Sequence, residues 1–537
     1  TGGADFSYSD PYLNNVSVHH NVSELGDSGG MDFYNSQPVF SIQDRCSIYE
    51  NRHNSGLVNG QDLRTNNGNI TVVVDTFTVL QPDNLFAFPI TSFDFDIVHG
   101  VIPQVSENIY VSPEGSDSNS GLTPDDPLAT IGRALRMINP QNEENLTIFL
   151  DEGVYSSQIN QERFPLPGRS HVALKGTDRG TTILEGDNTS SLLVCYEVSE
   201  FSISDLSINS GGNPGNWQSG GGLIVDFSQV SIDNVFFTGN RSYYGGAINC
   251  GYDSDLLITN SGFFQNYCSD IYNGIGGAIS CENSHLRLVN CSFSDNYAAS
   301  YGGAIYLMYS DAEIVNCLFW NNHPEQLYMY DWSQNHESMI CYSNLEGGYE
   351  EIDHYYYGEL FWEEGNIEQN PLFVNPAVGN YSIRDDSPCL DAGTSYYVWN
   401  EEILVDLTES EYYGSAPDIG CYEFGLTSND FQDLLPVEPE LYQNYPNPFN
   451  PSTTISYFLP SNIEQVEMNI YNLKGQKIRS FFISRSDGIG CSSNNQIPGS
   501  LTWDGKDENN RQVASGVYFY QLKAGNHEIT CKMMLLK

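Results

Sequence analysis

The sequence of 537 residues predicts an all-β fold, a parallel β-solenoid followed by a small antiparallel β-sandwich. Three observations predict it: a glycine- and asparagine-rich repeat, alternating strand patterns, and a sharp change of charge near residue 440. The chain is too long for one compact core, and 49 glycines with 35 tyrosines favour turns and strands over helices.

Four similar units occupy the middle of the chain and form the repeat. Their glycine pairs begin the segments Gly221–Ile224, Gly245–Ile248, Gly276–Ile279 and Gly302–Ile305. Each unit continues into an Asn-x-x-Phe-x-x-Asn block, and successive blocks lie 26, 30 and 26 residues apart. This period fits one turn of a parallel solenoid and is too short for helical repeats of roughly 33 residues or more. Aligned blocks give three columns: Asn234, Asn260, Asn290 and Asn316; Phe237, Phe263, Phe293 and Phe319; Asn240, Asn266, Asn296 and Asn322.

Strand geometry explains why these residue types recur. Coils that stack about 4.8 Å apart bring equivalent side chains of successive units together. The phenylalanines then form an internal column, and the asparagine amides can hydrogen-bond from coil to coil at a sharp turn. The glycine pairs supply positive φ or close backbone approach at the corner.

The repeat resembles the right-handed parallel β-helix proteins of the pectate-lyase-like superfamily, in particular the GGAI and FxxN repeats of bacterial outer-surface proteins. The segments around Ile109–Ser112 and Pro127–Ile131 look like the family's N-terminal entry, which implies a short helix near residues 130–138 that caps the solenoid. Asn370–Phe373, Ser387–Gly393 and Asp418–Glu423 resemble closing coils. The resemblance covers residues 107–424.

The first hundred residues echo the repeat. Gly29–Phe33 and Cys46–Asn51 resemble parts of one unit, so residues 1–75 are predicted to be the last coils of an upstream β-helix. Residues 76–106 are predicted to be a linker that contains strands. An open coil end exposes strand edges, so either upstream coils are missing or another copy of the chain covers them. The start at Thr1 rather than Met favours a processed or truncated chain.

Residues 425–440 are predicted to be a linker, and 441–537 a module of short alternating strands that suits a small antiparallel sandwich. The order of its motifs resembles the type A C-terminal sorting domain of the type IX secretion system of Bacteroidetes and relatives. That resemblance implies export across the outer membrane, so we expect a secreted or surface-displayed protein of a Gram-negative bacterium. The matching residues are Asn444, Pro446, Asn447, Pro448, Phe449, Asn450, Pro451, Gly475, Trp503, Gly505, Gly516 and Tyr518.

Charge separates the two parts of the chain. The formal net charge is −48, but residues 441–537 hold nine basic and seven acidic residues. The first 440 residues therefore carry −50, with Lys175 as their only lysine. Such a surface repels phosphate backbones and anionic lipids, so we expect no nucleic-acid partner. No apolar run approaches the roughly 18–20 residues of a membrane span.

Outward-facing positions of the repeat bring ionisable side chains of neighbouring coils together. The positions two and four before the first Asn of each block are apolar and predicted to point inward, so the alternate positions face out. One coil of separation places His285 about 5 Å from both Asp255 and Asp311, and Arg287 equally close to Glu313. This patch suits acid–base chemistry or a divalent cation, whereas charge pairing on a solvent-facing sheet is the more usual arrangement.

Two further groups are candidate binding residues. Asp117 and Asn119 have the oxygen spacing that opens a calcium loop, although a turn before the predicted helix explains the spacing equally well. Several aromatic residues crowd one side near the glycine corner, where exposed rings could stack on sugars or lie buried beneath the irregular segment 324–365. The aromatic candidates are Tyr244, Tyr301, Tyr306 and Tyr309.

The twelve cysteines form no CxxC pair, which disfavours zinc and redox motifs. Cys250 with Cys281 and Cys291 with Cys317 are predicted to be stacked core thiols. Cys389–Cys421 and Cys491–Cys531 are the candidate disulfides.

We expect a secreted β-helix protein that acts in adhesion, glycan binding or extracellular assembly, with the type IX machinery and extracellular polysaccharide as partners. The alternative is a Ca²⁺-assisted polysaccharide lyase or glycoside hydrolase on the same scaffold. The resemblance implies that β-helix lyases commonly use Lys or Arg as the base, with Asp-bound Ca²⁺. This chain departs from that pattern, because its array has one lysine and no Asp column that persists over three adjacent coils.

Overall fold

The structure, a computed structural model, divides into two units: Thr1–Leu372 with Asp385–Asp430, and Phe373–Arg384 with Phe431–Lys537. The first unit is a right-handed parallel β-helix, and the whole chain has about 13 solenoid turns. The described residues are 3–23, 29–53, 60–139, 145–212, 219–268, 274–333, 335–355, 358–376, 379–425, 440–441, 449, 452–459, 466–483, 497–508, 511–525 and 527–536.

The first hundred residues form a short stack of parallel strands, here called the N-terminal coils. One four-stranded sheet has the order Ala4–Ser7, Met31–Tyr34, Leu63–Thr65 and Ala87–Phe88. The other has the order Phe93–Gly100, Ile70–Phe77, Cys46–Tyr49 and Ser17–His19. Two short pairs, Tyr12–Leu13 with Val39–Phe40 and Val22–Ser23 with Arg52–His53, complete the coils. Residues 76–100, expected to be part of a linker, therefore contribute strands to both sheets; a 3₁₀ turn at Ile90–Ser92 lies between them.

The expected helix is Ile131–Met137, and the Oγ1 atom of Thr130 accepts the first free N–H from Arg133. The helix lies between the N-terminal coils and the main array instead of closing an open end. The guanidinium of Arg136, 3% exposed, lies 5.8 Å from the ring centroid of Phe86 in the N-terminal coils. One apolar core consequently runs from Leu13 to Ile352.

The main array, whose strands run from Ile109 to Trp362, has three parallel sheets. The long sheet follows the path Ile109–Val111, Leu146–Leu150, Val172–Lys175, Phe201–Asn209, Gln229–Thr238, Asp255–Thr259, His285–Val289, Asp311–Val315, Glu337–Cys341 and Glu359–Trp362. Its lateral strands are Gly153–Tyr155, Thr182–Glu185, Gly262–Phe264, Ser292–Ser294, Leu318–Trp320 and Asn344–Leu345. The eight-stranded sheet comprises Leu166–Pro167, Leu193–Tyr196, Leu223–Asp226, Ile248–Gly251, Ile279–Glu282, Ile305–Met308, Leu327–Tyr330 and Ile352–Tyr355. The third sheet comprises Arg241–Ser242, Tyr267–Cys268 and Tyr297–Ala298.

The phenylalanine column stacks inside the array. Ring centroids of Phe237, Phe263, Phe293 and Phe319 are 4.9, 4.6 and 4.8 Å apart, with interplanar angles of 2–3°. All four side chains are fully buried. The separation equals the strand spacing, so each ring lies directly over its equivalent in the next coil.

Two asparagine columns hydrogen-bond from coil to coil at the corners, and the buried column also satisfies the backbone. In the buried column, the backbone N–H and the side-chain amide of Asn266 both donate to Oδ1 of Asn296, each at 3.0 Å, and Asn296 repeats this with Asn322. In the other column, Asn290 donates to Asn260 and Asn316 to Asn290. Its four members all have φ between 51° and 55°, a left-handed conformation that asparagine tolerates better than most residues.

The glycine corner of the first repeat lies one residue earlier than the alignment of the four repeats predicted. Leu223 pairs with Ile248, so Gly220 is the equivalent of Gly245. These two glycines have the same positive φ of 61°, and a Cβ on Gly245 would lie 1.8 Å from the carbonyl oxygen of Ile248. A third consecutive glycine at Gly222 concealed the shift in the sequence.

Residues 385–425, expected to be closing coils, return along the side of the array. Tyr396–Trp399 and Glu402–Asp406 form an antiparallel hairpin, and Glu402 reaches back to Arg287 at 2.8 Å. Tyr422, near the end of the same segment, packs on the buried guanidinium of Arg179. This guanidinium lies 4.2 Å from the ring centroid of Phe236 and 5.3 Å from that of Tyr422. This segment, here called the return segment, covers the lateral strands.

The second unit contains two small antiparallel sheets, as predicted. One comprises Glu440–Leu441, Thr453–Leu459 and Ile497–Trp503; the other has the order Lys477–Ile483, Val466–Asn472, Gly516–Ala524 and His527–Leu535. The hairpin Phe373–Asn375 with Asn380–Ile383 also clusters with this unit. Trp503 and Tyr520 are fully buried in its core.

Replacing Phe293 with alanine should remove the central ring of the column and lower the free energy of unfolding by about 3–5 kcal/mol. Urea denaturation followed by far-UV circular dichroism measures this loss. Leu257→Ala, an outward-facing and 36% exposed position one coil away, is the control and should cost less than about 1 kcal/mol. Equal losses from the two substitutions would contradict the internal column.

Candidate functional site

His285 lies at the centre of an ion-pair network on the outward face of the long sheet. Its Nδ1 atom is 3.0 Å from Oδ1 of Asp255, and its Nε2 atom is 2.7 Å from Oε2 of Glu313. Arg287 extends the network, with Nε 3.5 Å from the same Glu313 oxygen and Nη1 2.8 Å from Oε1 of Glu402 in the return segment. The network therefore links three coils to the return segment.

Asp311 is the neighbour of His285 in the next coil, as predicted, but Glu313 and not Asp311 pairs with the imidazole. Asp311 is directly opposite His285 in the strand register, but its Oδ1 accepts a hydrogen bond from the backbone N–H of Glu337 at 2.8 Å. Glu313 lies two residues farther along the same outward face, and its longer side chain reaches His285 diagonally.

The charges of the network define its chemistry. Hydrogen bonds to Asp255 and Glu313 raise the pKa of His285 to about 10, despite the opposing effect of burial. The same contact lowers the pKa of Asp255. At neutral pH the imidazolium donates from both nitrogens, so neither has a lone pair for a proton or a metal ion. These contacts suit structural charge pairing better than acid–base catalysis.

Asp117 and Asn119 form a turn that supports the helix. The Asp117 carboxylate accepts from the backbone N–H groups of Ala129 and Thr130 and from the Thr130 hydroxyl, at 2.8–3.1 Å. The Asn119 amide donates to the carbonyl of Pro127 at 2.8 Å. The turn interpretation accounts for these contacts. Within the described ranges, no group of three or more His, Cys, Asp or Glu side chains could hold a metal ion.

An aromatic surface continues across the last coils of the eight-stranded sheet. Tyr306 and Tyr328 stack with centroids 5.4 Å apart and 3° between their planes, and Tyr301 lies 4.4 Å from Tyr328. Tyr330 contacts the rings of three others at 5.9–6.3 Å. We call this surface the aromatic platform; its members are Tyr301, Tyr306, Tyr309, Tyr328, Tyr330, Trp332 and Tyr355.

Exposure divides the aromatic platform into a base and a contact surface. Tyr306 and Tyr328 are each 8% exposed, whereas Tyr301, Tyr355 and Trp332 are 46%, 49% and 65% exposed. Burial raises the pKa of Tyr328 to about 12, so its phenol remains a neutral hydrogen-bond donor at physiological pH.

Tyr244, the remaining aromatic candidate, is half-buried outside the platform. It is bridged to Tyr301 through Ile275, two coils away in the same column. Tyr355 was missed as a candidate, because the irregular segment 324–365 breaks the repeat and hides its alignment with Tyr330. Glu402 was missed because its contact with Arg287 spans more than a hundred residues of sequence.

The predicted core thiols are buried, and Cys250 is directly opposite Cys281 in adjacent strands. The candidate disulfide Cys389–Cys421 is wrong, since both residues are free thiols. The Cys389 sulfur instead accepts a hydrogen bond from the Asn344 amide at 3.1 Å. Cys491 lies outside the described residues, and Cys531 is a free thiol.

Three aromatic residues of the C-terminal motif, Phe449, Trp503 and Tyr518, meet in one cluster. The ring of Trp503 is 5.6 Å from Phe449 and 5.2 Å from Tyr518, and its Nε1 donates to the carbonyl of Lys506. Gly475 and Gly505 adopt positive φ of 73° and 69° in tight turns. Gly516 begins the strand that contains Tyr518. Motif residues outside the described set are Asn444, Pro446, Asn447, Pro448, Asn450 and Pro451.

The family described as the secretion system C-terminal sorting domain matches residues 443–536. The chain carries a type IX sorting domain. The sorting domain makes the type IX machinery a partner of this protein and indicates secretion with attachment at the cell surface. Among the described residues, no helix is long and apolar enough to cross a membrane.

Two solved structures are similar to this chain at 12% sequence identity. Pectin methylesterase PemA from Erwinia chrysanthemi is covered over 91% of its length by 50% of this chain, with a TM-score of 0.33. The full-length tailspike protein 2 from Escherichia coli O157:H7 bacteriophage CAB120 is covered over 64% of its length by 99% of this chain, with a TM-score of 0.25. No curated protein matches the chain.

Replacing Asp255 with asparagine should lower the pKa of His285, because one of its two charged acceptors is lost. NMR titration of the histidine side-chain resonances measures this pKa. Asp311→Asn is the matched control: it removes the same charge from the opposite neighbouring strand but leaves both His285 contacts in place. A larger decrease from Asp311→Asn than from Asp255→Asn would contradict the observed network.

The network should also make stability depend on pH. The pKa of His285 is higher in the folded chain than the ordinary value of 6.5, so its contribution is complete below about pH 6.5 and is lost as pH rises through about 10. We expect the stability difference between wild type and His285→Gln to shrink by about 1–2 kcal/mol over that interval, since partial exposure weakens the pairs. A constant difference in urea denaturation at pH 6 and pH 10 would contradict this.

Proposed function

We propose that this secreted, surface-attached protein binds extracellular glycans through the aromatic platform. The observation that supports the proposal is a set of seven aromatic side chains in two ring clusters at the last coils of the eight-stranded sheet, one around Tyr328 and one around Tyr330. Tyr328 and Tyr330 alternate with inward-facing residues on one strand, so their side chains lie roughly 7 Å apart on one face. Exposed rings supported from behind lose little conformational freedom when a flat sugar face stacks on them.

The charge around the platform favours neutral over acidic sugars. Glu325 and Asp353 lie close enough to Tyr328 to raise the pKa of its phenol further. Glu282 acts in the same way on Tyr306. Glu282 and Asp353 would repel a uronate, whereas they can accept hydrogen bonds from sugar hydroxyls, as charged acceptors do. Burial raises the pKa of Glu325 to about 7, so its charge contributes less at neutral pH. A neutral polysaccharide is therefore the ligand class that we propose for the platform.

The alternative of a Ca²⁺-assisted lyase gains no support from the cationic candidate residues that the structure describes. His285 is held between two carboxylates, Arg287 is paired with Glu313 and Glu402, and Lys175 lies 3.5 Å from Asp205. A proton-abstracting base needs a free lone pair, which His285 and Arg287 do not have in these ion pairs. Self-association through the first N-terminal coil stays a prediction.

Replacing Tyr301 and Tyr355 with alanine should weaken binding to a neutral polysaccharide at least tenfold, because both exposed stacking surfaces are lost. Affinity electrophoresis in gels that contain neutral or acidic polysaccharides identifies the ligand and measures the retardation. Each variant should keep the melting temperature of the wild type within a few degrees, since both rings are about half exposed.

Tyr413→Ala is the matched control, since Tyr413 is 60% exposed in the same unit but outside the platform. Its retardation should equal that of the wild type. An assay for new reducing ends and unsaturated uronates on the same polysaccharides, with and without Ca²⁺, should show no turnover. Retardation that survives in Tyr301→Ala and Tyr355→Ala, or robust turnover, would overturn the proposed function.

A further inference from the structure

A cavity of about 380 Å³ lies where the N-terminal coils meet the helix and the first coils of the main array. Three arginines from separate segments line it: Arg52 from the N-terminal coils, Arg133 from the helix, and Arg163 from the segment before Leu166–Pro167. The first 440 residues contain only twelve basic residues among 62 acidic ones, so three guanidiniums around one cavity are a local exception.

In the part of the chain that the structure describes, Arg52, Arg133 and Arg163 form no ion pair. The Nε atom of Arg133 is buried without a hydrogen-bond partner. Burial lowers the pKa of Arg52, and the nearby charge of Arg163 lowers it further, against the opposing effects of Glu50, Glu162 and Asp117.

The two carboxylates in the wall are used by the backbone. Glu162 accepts from the N–H groups of Ile131 and Gly132 at 2.6 and 3.2 Å, and Asp117 accepts from Ala129 and Thr130. They reduce the positive charge of the cavity but do not form ion pairs with the guanidiniums. Three cations against two carboxylates leave a site whose charge suits one monoanionic group.

The remaining lining is polar. Ser116, Thr130, Asn160 and Gln161 line the same cavity, and their hydroxyl and amide groups can donate to or accept from a polyhydroxy compound. The volume is within the range of pockets that hold small organic ligands. Guanidinium groups bind carboxylates in a bidentate manner, which fixes orientation as well as charge.

We propose that this cavity is a binding site for a carboxylate-bearing sugar, with the acidic group held by Arg52, Arg133 and Arg163. The site is separate from the aromatic platform. The strands Leu166–Pro167 and Ile305–Met308 are five positions apart in the eight-stranded sheet, which corresponds to roughly 25 Å along the solenoid. Loss of one site should therefore leave the other intact.

Isothermal titration calorimetry on the full chain at low salt tests the proposal, with sodium glucuronate, glucose and sodium acetate as probes. We expect saturable glucuronate binding. Glucose and acetate should each bind at least tenfold more weakly, because glucose lacks the carboxylate and acetate lacks the sugar hydroxyls. Arg133→Gln and Arg163→Gln should each weaken glucuronate binding at least tenfold. Arg163 is exposed, so its substitution should not disturb folding even if that of Arg133 does.

Arg45→Gln is the control, because Arg45 pairs with Asp96 in the N-terminal coils outside the cavity. It should bind glucuronate with wild-type affinity. The proposal is overturned by absent or unsaturable glucuronate binding, by unchanged affinity in Arg163→Gln, or by glucose or acetate binding as tightly as glucuronate. Neutral-polysaccharide retardation that persists in Arg163→Gln would show that the platform acts independently.

Discussion

The hydrogen bond between equivalent asparagines of successive coils sets the register in which the solenoid stacks. At every corner, backbone N–H groups turn away from the strand ladder and need an acceptor inside a dry core. Asn266 and its equivalents provide one, because each side chain accepts from the coil before it. An amide in this position allows only one stacking register, which also superimposes the phenylalanine rings.

Because the stacking register is fixed, residues that recur in successive coils form continuous surfaces. Once equivalent residues lie over each other, any residue type that recurs on the outward face becomes a row about one strand spacing apart. Tyr306, Tyr328 and their neighbours form the aromatic platform in this way, and Asp255, His285 and Glu313 form an ion-pair network. The same geometry thus produces a stabilising network on the long sheet and a candidate glycan-binding surface on the eight-stranded sheet.

Most of the acidic residues lie on the outside of the solenoid, although a few charged side chains such as Asp62, Glu162 and Arg179 are buried. An acidic exterior suits a protein that is exported and must stay soluble, and it disfavours anionic partners over most of the surface. The junction around the helix is different, because three arginines converge there from separate parts of the chain. We infer that the two candidate sites select different sugars, neutral residues at the platform and acidic residues at the junction.

Sequence reasoning succeeded where a contact repeats and failed where it does not. The inward positions Ile258 and Leu288 and the phenylalanine column follow from the repeat alone, because neighbouring coils share one pattern. Glu313 was missed as the partner of His285 because register arguments compare backbone positions and ignore side-chain length. The arginine cavity was invisible because Arg52 and Arg163 are 111 positions apart in different coils, and no local pattern relates them.

A double-mutant cycle between Asn266 and Asn296 measures the coupling between asparagines of adjacent coils. We expect a coupling free energy of about 1–2 kcal/mol between Asn266→Ala and Asn296→Ala in reversible urea unfolding, since each side chain satisfies its neighbour. We expect near-additive effects for Asn240 and Asn296, which are two coils apart. Additivity for the adjacent pair, or equal coupling in both pairs, would contradict stacking in this register.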